Sequence, residues 1–171
     1  KKKVDLIVWP ETAISSYILQ GNDYSLKWIQ GELQESKLIS GIPYYSGEKS
    51  ERKYYNSAVL IQADSIKNIY HKLQLVPMGE YIPLSDYFPL LKGLNLGQGN
   101  FTRGTDYTIM DINNVKCAVM ICFESTLPSL SRQFVENGAT VLIYLVNDGW
   151  YETPPEPQQH AKQAVYRAIE N

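Results

Sequence analysis

The chain has 171 residues, 44% hydrophobic and 20% charged, with thirteen tyrosines and three tryptophans. That composition can bury the core of one domain and excludes a disordered segment. The formal charge of −2 comes from intermixed acids and bases, so no basic face points to a nucleic-acid partner, and Lys1-Lys2-Lys3 reads as a solvated end. No run approaches the roughly 20 apolar residues that span a bilayer, and the N-terminus lacks the apolar core of a signal peptide, so the chain as written is expected to be soluble.

Val4 to Trp9 is almost wholly apolar and predicts a buried strand, stopped by Pro10 before the polar Glu11-Thr12. From Tyr24 to Leu38 the residues Leu26, Ile29, Leu33 and Leu38 fall near helical spacing, with Asn22 or Asp23 as cap. Ile39 to Tyr45, Tyr54 to Gln62 and Ile66 to His71 read as strands, the last two joined as a hairpin through Ala63-Asp64-Ser65. Leu73 to Thr105 is rich in Gly and Pro yet unusually apolar between Leu84 and Leu96, the mark of a functional loop rather than a linker.

A strand from Tyr107 to Ile112, a turn at Asn113-Asn114 and a second strand ending at Cys122 come next, followed by a helix from about Pro128 to Glu136 that Asn137-Gly138 ends. Thr140 to Val146 predicts another buried strand. Gln158 to Asn171 predicts a helix with Ala161, Ala164, Val165 and Ala168 on its packed face. Strands and helices alternate, so the class is α/β. Cys117 and Cys122 share one strand with four residues between them. They therefore face opposite sides, which suits neither a disulfide nor a metal site, and Cys117 reads as a core thiol. No cluster has ligand spacing and no Gly-rich phosphate cradle occurs, so neither a metal nor an organic cofactor is expected.

Cys122 ends its strand and is followed at once by Phe123-Glu124 and a helix start, the way a chain exposes a nucleophile on a sharp turn. A thiol of ordinary pKa about 8.5 needs a base. His71, adjacent to Lys72 on an extended strand, points the opposite way, and nothing local brings His160 close. The other candidate is a carboxylate: Glu11 closes an apolar run as Cys122 does, and a partly desolvated glutamate can take a thiol proton near neutrality. Lys72, closing a third run, would stabilise the oxyanion of an acyl transfer together with the backbone N–H of Phe123. Singly, Glu11 also reads as a solvated loop residue and Lys72 as a snorkelling side chain.

The segments Trp9-Pro10-Glu11, Tyr70-His71-Lys72 and Ile121-Cys122-Phe123-Glu124 resemble, in order, the Glu–Lys–Cys signatures of the nitrilase (carbon–nitrogen hydrolase) superfamily. Lys72 to Leu84, Tyr55-Asn56-Ser57, Asn147-Asp148-Gly149-Trp150 and Pro157-Gln158-Gln159-His160 resemble its apolipoprotein N-acyltransferase branch. The resemblance implies a four-layer αββα sandwich spanning residues 1–171 as a single catalytic domain, incomplete at both termini. It implies Cys122 as thioester-forming nucleophile, Glu11 as general base and Lys72 as oxyanion stabiliser. Glu80, Glu124 and Phe123 would support them, and Trp150 and Tyr81 would contact substrate. Without that likeness, Glu80 and Glu124 read equally as structural carboxylates and Asn56 as a structural loop residue.

The same resemblance implies a phospholipid acyl donor and, as acceptor, the N-terminal amine of a diacylglyceryl-cysteine lipoprotein. It places the domain at the bacterial inner membrane, facing the periplasm or exterior, attached through segments absent from this chain. Leu84 to Leu96 is the candidate lid that would exclude water. The loop Tyr151 to Glu156 departs from the small, Gly-rich version expected of the branch. A soluble amidase with the same triad is the competing reading, and a non-catalytic binding domain the third.

Overall fold

A computed structural model describes residues 4–21, 24–83, 100–149 and 155–171. The helix cap at Asn22 or Asp23, the Leu84 to Leu96 lid and Trp150 lie outside the described residues.

Among the described residues, one sheet has the order β1 (Leu6–Val8), β2 (Lys37–Ser46), β3 (Lys53–Ile61), β4 (Ile66–His71). β1 runs parallel to β2, and the other neighbours are antiparallel. A second sheet has β5 (Ile109–Ile112) antiparallel to β6 (Val115–Ile121), which is parallel to β7 (Val141–Leu145). The helices are α1 (Tyr24–Leu33), α2 (Pro128–Glu136) and α3 (Glu156–Glu170).

Period-two alternation in β2 and β3 divides the interior in two. Leu38, Ile42, Val59 and Ile61 pack with Ile18 and with Ile29 and Leu33 of α1. Their strand neighbours Ile39, Ala58 and Leu60, with Tyr70 of β4, join the second sheet and Leu130 and Phe134 of α2 in the larger core. The layers run α1, sheet, sheet, α2, the expected αββα sandwich. Each fully buried Ile or Leu contributes about 1.5–3 kcal/mol, so the larger, inner core dominates the cohesion of the two sheets. Cys117 is 2% exposed within it, as a core thiol should be.

Local chemistry sets the boundaries. The β5–β6 hairpin turns through Asn113 and Asn114, whose φ angles of 53° and 67° are the left-handed pair that a tight hairpin needs and asparagine tolerates. Pro128 opens α2 at its first turn, and Gly138, at φ 97°, lies just past its end.

Three expectations need correction. The helix predicted to reach Leu38 stops at Leu33: Gln34 turns left-handed (φ 51°), and Lys37 N–H donates to Asp5 O at 3.0 Å. Leu38, five residues after Leu33, falls off the face that Leu26, Ile29 and Leu33 share, and pairing with β1 places it in the strand. The apolar run from Val4 predicts a buried strand, yet Val4 and Val8 are 48% and 44% exposed, since among the described residues β1 is the edge of its sheet, paired with β2. On α3 the predicted apolar stripe is not the packed face. Val165 is exposed, and Arg167 is the buried residue.

Gly41 in β2 fixes the approach of the Glu11 loop. A Cβ there would lie 2.6 Å from Glu11 Cα and 2.6 Å from Thr12 N, and Gly41 N–H donates to Pro10 O at 3.2 Å. Since backbone has to move to admit the methyl group, Gly41→Ala is expected to lower stability by about 1–3 kcal/mol, read as a reduced urea midpoint. A midpoint equal to that of the parent would show that the close packing is not needed.

Candidate active site

The three residues that close apolar runs converge at one end of the inter-sheet core. Glu11 follows β1 in a loop pinned to β2: Trp9 N–H donates to Ile39 O at 2.8 Å, and Ile14 N–H to Gly41 O at 3.3 Å. Lys72 follows β4 and is clamped through its backbone, its N–H donating to Asn56 O and its carbonyl accepting from Gly104 N–H, both at 2.9 Å. A Cβ at Gly104 would sit 2.2 Å from His71 O, so only glycine lets this segment come so near. Cys122 follows β6, with φ 51°, and starts a short 3₁₀ helix, Cys122–Thr126. That left-handed backbone, rare outside glycine, asparagine and aspartate, turns the thiol out of the strand.

Lys72 is 1% exposed. Its Nζ lies 2.9 Å from each Glu80 carboxylate oxygen and 3.9 Å from Glu11 Oε1. Glu80 is held in turn by Val76 N–H, which donates to Oε2 at 2.9 Å, so the lysine's ammonium meets a carboxylate that is itself fixed. Asn56 Nδ2 donates to Glu11 Oε1 and to Glu80 Oε1, each at 2.8 Å. One amide group therefore ties the two carboxylates together, as its two N–H bonds allow. Expected to be a loop residue, Asn56 is instead a buried member of β3, on the face shared with Ala58 and Leu60.

The Cys122 sulfur interacts with Glu11 and with the Phe123 backbone N–H. Burial, followed by the Glu11 charge, pushes the thiol up to about 12 against the opposing pull of Lys72 and the Phe123 N–H. At neutral pH the sulfur is therefore a protonated thiol beside a carboxylate, which calls for proton removal as attack proceeds. The lysine and the Phe123 N–H are the donors available to an oxyanion.

Glu124 links the Cys122 turn to the segment that follows Lys72. Its Oε1 accepts from Leu73 N–H at 2.8 Å and Gln74 N–H at 2.9 Å, and its Oε2 from Ile121 N–H at 2.8 Å. The Tyr70 hydroxyl lies 2.8 Å from both oxygens. Burial raises the Glu124 carboxyl while the N–H donors oppose it. Burial and Glu124 raise Tyr70 well above the ordinary phenol range, which keeps it a donor.

The histidines behave unequally. His71 points to the opposite sheet face as predicted, bonding Ser57 Oγ at 2.8 Å and stacking on Tyr55, and burial lowers its pKa. His160 does not contact the sulfur, yet its Nε2 lies 3.1 Å from Cys122 O and its Nδ1 2.8 Å from Asp148 Oδ1. The sequence reading left it without a local partner, and only the fold brings the two segments together. Tyr81 is turned to Arg103, whose guanidinium donates to its hydroxyl at 3.1 Å and lies over its ring.

The chain resembles known proteins along its whole length. The family described as carbon–nitrogen hydrolase matches residues 1–171. The chain is 34% identical over 170 residues to the apolipoprotein N-acyltransferase of Geobacter metallireducens, covering 98% of this chain and 32% of that protein. It is 36% identical over 180 residues to the apolipoprotein N-acyltransferase of Brucella suis, covering 99% and 33%. The chain thus spans about a third of the length of the curated relatives it matches. Among solved structures, a carbon–nitrogen hydrolase from Helicobacter pylori superposes with a TM-score of 0.67 at 22% identity, over 96% of this chain and 58% of that one. Two sheets stacked between helices are thus shared with that structure, and with the family match running from end to end, the chain belongs to the carbon–nitrogen hydrolase family.

Proposed function

We propose that this chain is the catalytic domain of an acyltransferase that moves a phospholipid acyl chain, by way of a thioester on Cys122, to the N-terminal amine of a diacylglyceryl-cysteine lipoprotein. The observation that carries the reading is one sulfur flanked by a carboxylate and a buried lysine, in a chain that aligns end to end with relatives named for this transfer. Such substrates place the work at a bilayer surface, the periplasmic side of the bacterial inner membrane. Among the described residues no helix is long and apolar enough to cross a membrane.

The chemistry divides into two acyl transfers through one tetrahedral geometry. Cys122 Sγ attacks the donor ester carbonyl as Glu11 takes the thiol proton, and Lys72 Nζ with the Phe123 N–H receives the oxyanion. Collapse breaks the ester C–O bond, and the proton on Glu11 passes to the departing alkoxide, a lysophospholipid. The acceptor amine then attacks the thioester, gives a proton to Glu11 and forms the amide as the C–S bond breaks, and that proton returns to sulfur. Glu80 and Asn56 keep Lys72 and Glu11 in place throughout. Trp150 and Tyr81 are the proposed acyl-chain contacts.

Three outcomes test this reading. Cys122→Ala is expected to abolish the thioester adduct seen by mass spectrometry after incubation with phospholipid, while Cys117→Ala retains it; an adduct on Cys117 would overturn the assignment. Transfer to an amine-bearing diacylglyceryl peptide, rather than release of free fatty acid, separates the acyltransferase from an amidase whose acceptor is water.

For Glu11→Gln, loss of a general base predicts thioester formation slower by about 10²–10⁴-fold with the thiol still present. An unchanged rate would remove Glu11 from that role.

The raised thiol predicts that alkylation of Cys122 by iodoacetamide keeps accelerating well above pH 8.5, the ordinary thiol range, toward the value of about 12. In Glu11→Gln the rise should begin at lower pH, since the removed carboxylate charge raises the thiol. A plateau near pH 8.5 in the parent protein would contradict the electrostatics of the site.

A further inference from the structure

The 3₁₀ helix that presents Cys122 is short, and the partners of its backbone carbonyls are divided between itself and α3. The Phe123 carbonyl accepts from Thr126 Oγ1 at 2.7 Å, and the Glu124 carbonyl from Leu127 N–H at 3.1 Å. The Ser125 carbonyl accepts from Arg167 Nη1 at 3.1 Å, and the Cys122 carbonyl faces His160 Nε2 at 3.1 Å. His160 and Arg167 lie about two turns apart on one face of α3. That face takes the place of the apolar stripe the sequence predicts. At its first residue the 3₁₀ helix also holds a left-handed cysteine, at φ 51°, a conformation that persists only where the surroundings enforce it.

We propose that His160, oriented by Asp148, is a positioning residue for the nucleophile: its Nε2–H donates to the Cys122 carbonyl and holds the left-handed backbone that aims the sulfur. Nδ1 lies 2.8 Å from the Asp148 carboxylate, which sets the orientation of the ring. Its Nε2–H is shared with Ser125 Oγ at 2.9 Å. Among the described residues, the charged groups near the ring are Asp148, from the segment after β7, and Arg167 on its own helix, the latter paired with Glu170 at 2.6 Å. His160 touches no reacting atom. It acts through the peptide between Cys122 and Phe123, the same peptide whose N–H points at the sulfur, so both the thiol and an oxyanion donor depend on it.

The inference rests on Cys122 being the nucleophile, and two measurements keep it separable from that assignment. Cys-Phe occurs once in the chain, so [1-¹³C]cysteine with [¹⁵N]phenylalanine gives a single carbonyl–amide cross-peak reporting the hydrogen bond at the Cys122 carbonyl. His160→Phe keeps the ring volume without the donor, while His160→Gln restores an N–H close to the Nε2 position. The expected result is a displaced cross-peak in His160→Phe and one near the parent position in His160→Gln. In the second measurement, the burst of p-nitrophenolate from a p-nitrophenyl acyl ester is expected to slow about 10–100-fold in His160→Phe, as misplacement of a reacting group by a fraction of an ångström to an ångström does. Most of that loss should be recovered in His160→Gln. A cross-peak unmoved in His160→Phe, or equally displaced in both variants, would overturn the inference, as would a burst unchanged by His160→Phe. Absence of the burst in the unsubstituted protein would count against the nucleophile, and the cross-peak would still decide the role of His160.

Discussion

One buried carboxylate holds the two halves of this site in register. Glu124 stands two residues after Cys122 at the end of the second sheet, and its oxygens collect the N–H groups of Leu73 and Gln74, which directly follow Lys72 at the end of the first. A third N–H, from Ile121, closes the arrangement on its own side. Each of these partners is a donor, and the Tyr70 hydroxyl, pushed up by burial and by the carboxylate itself, is a fourth. No neutral side chain of this size offers two acceptor oxygens, since an amide would turn an N–H toward an N–H and leave buried donors unpaired. The separation between Lys72 and Cys122 is therefore set by hydrogen bonds across the sheet interface, with apolar packing behind them.

The charge balance around Lys72 follows from that constraint. One ammonium faces two carboxylates, Glu80 in close contact and Glu11 further off. Two carboxylates so near each other would repel, and the Asn56 amide, bonded to both, offsets this while leaving the lysine shared. With Glu80 occupying most of the lysine's charge, the cation lowers the Cys122 thiol less than burial and Glu11 raise it. The sulfur therefore rests as a thiol, and under the proposed mechanism it would become strongly nucleophilic only as Glu11 takes its proton. A resting thiol is also less open to oxidation than a thiolate would be.

Much of this was legible along the chain because the informative signals are local. Polar residues ending apolar runs identify Glu11, Lys72 and Cys122 without any knowledge of how the runs pack, and the asparagine pair at 113–114 and Gly138 mark their turns through backbone preference alone. Asn56 was misplaced because its meaning lies in two carboxylates from other segments, and a lone asparagine between tyrosine and serine in a strand advertises neither. His160 was passed over for a related reason. A search for a base near a thiol looks for a ring near the sulfur, whereas this ring reaches the carbonyl. The end of α1 is marked by the five-residue step from Leu33 to Leu38, which leaves the helical face, and pairing with Leu6 to Val8 takes Leu38 into the strand.

The division of the interior into two cores bears on how the site withstands change. The first sheet is common to both cores, but its face toward α1 carries Ile42, Val59 and Ile61, while the opposite face carries Ala58, Leu60 and Tyr70 and continues directly into Asn56 and Lys72. A shift on the α1 side reaches Asn56 and Lys72 through the backbone of β2 and β3, which the nine-residue register between those strands holds firm. A shift on the inner side moves Tyr70, and with it a donor to Glu124, at once. Densely packed interiors transmit such displacements rather than absorb them. The candidate site is accordingly coupled most tightly to the core between the two sheets, and α1, which buries Ile29 and Leu33 against the opposite face, has the least direct hold on it.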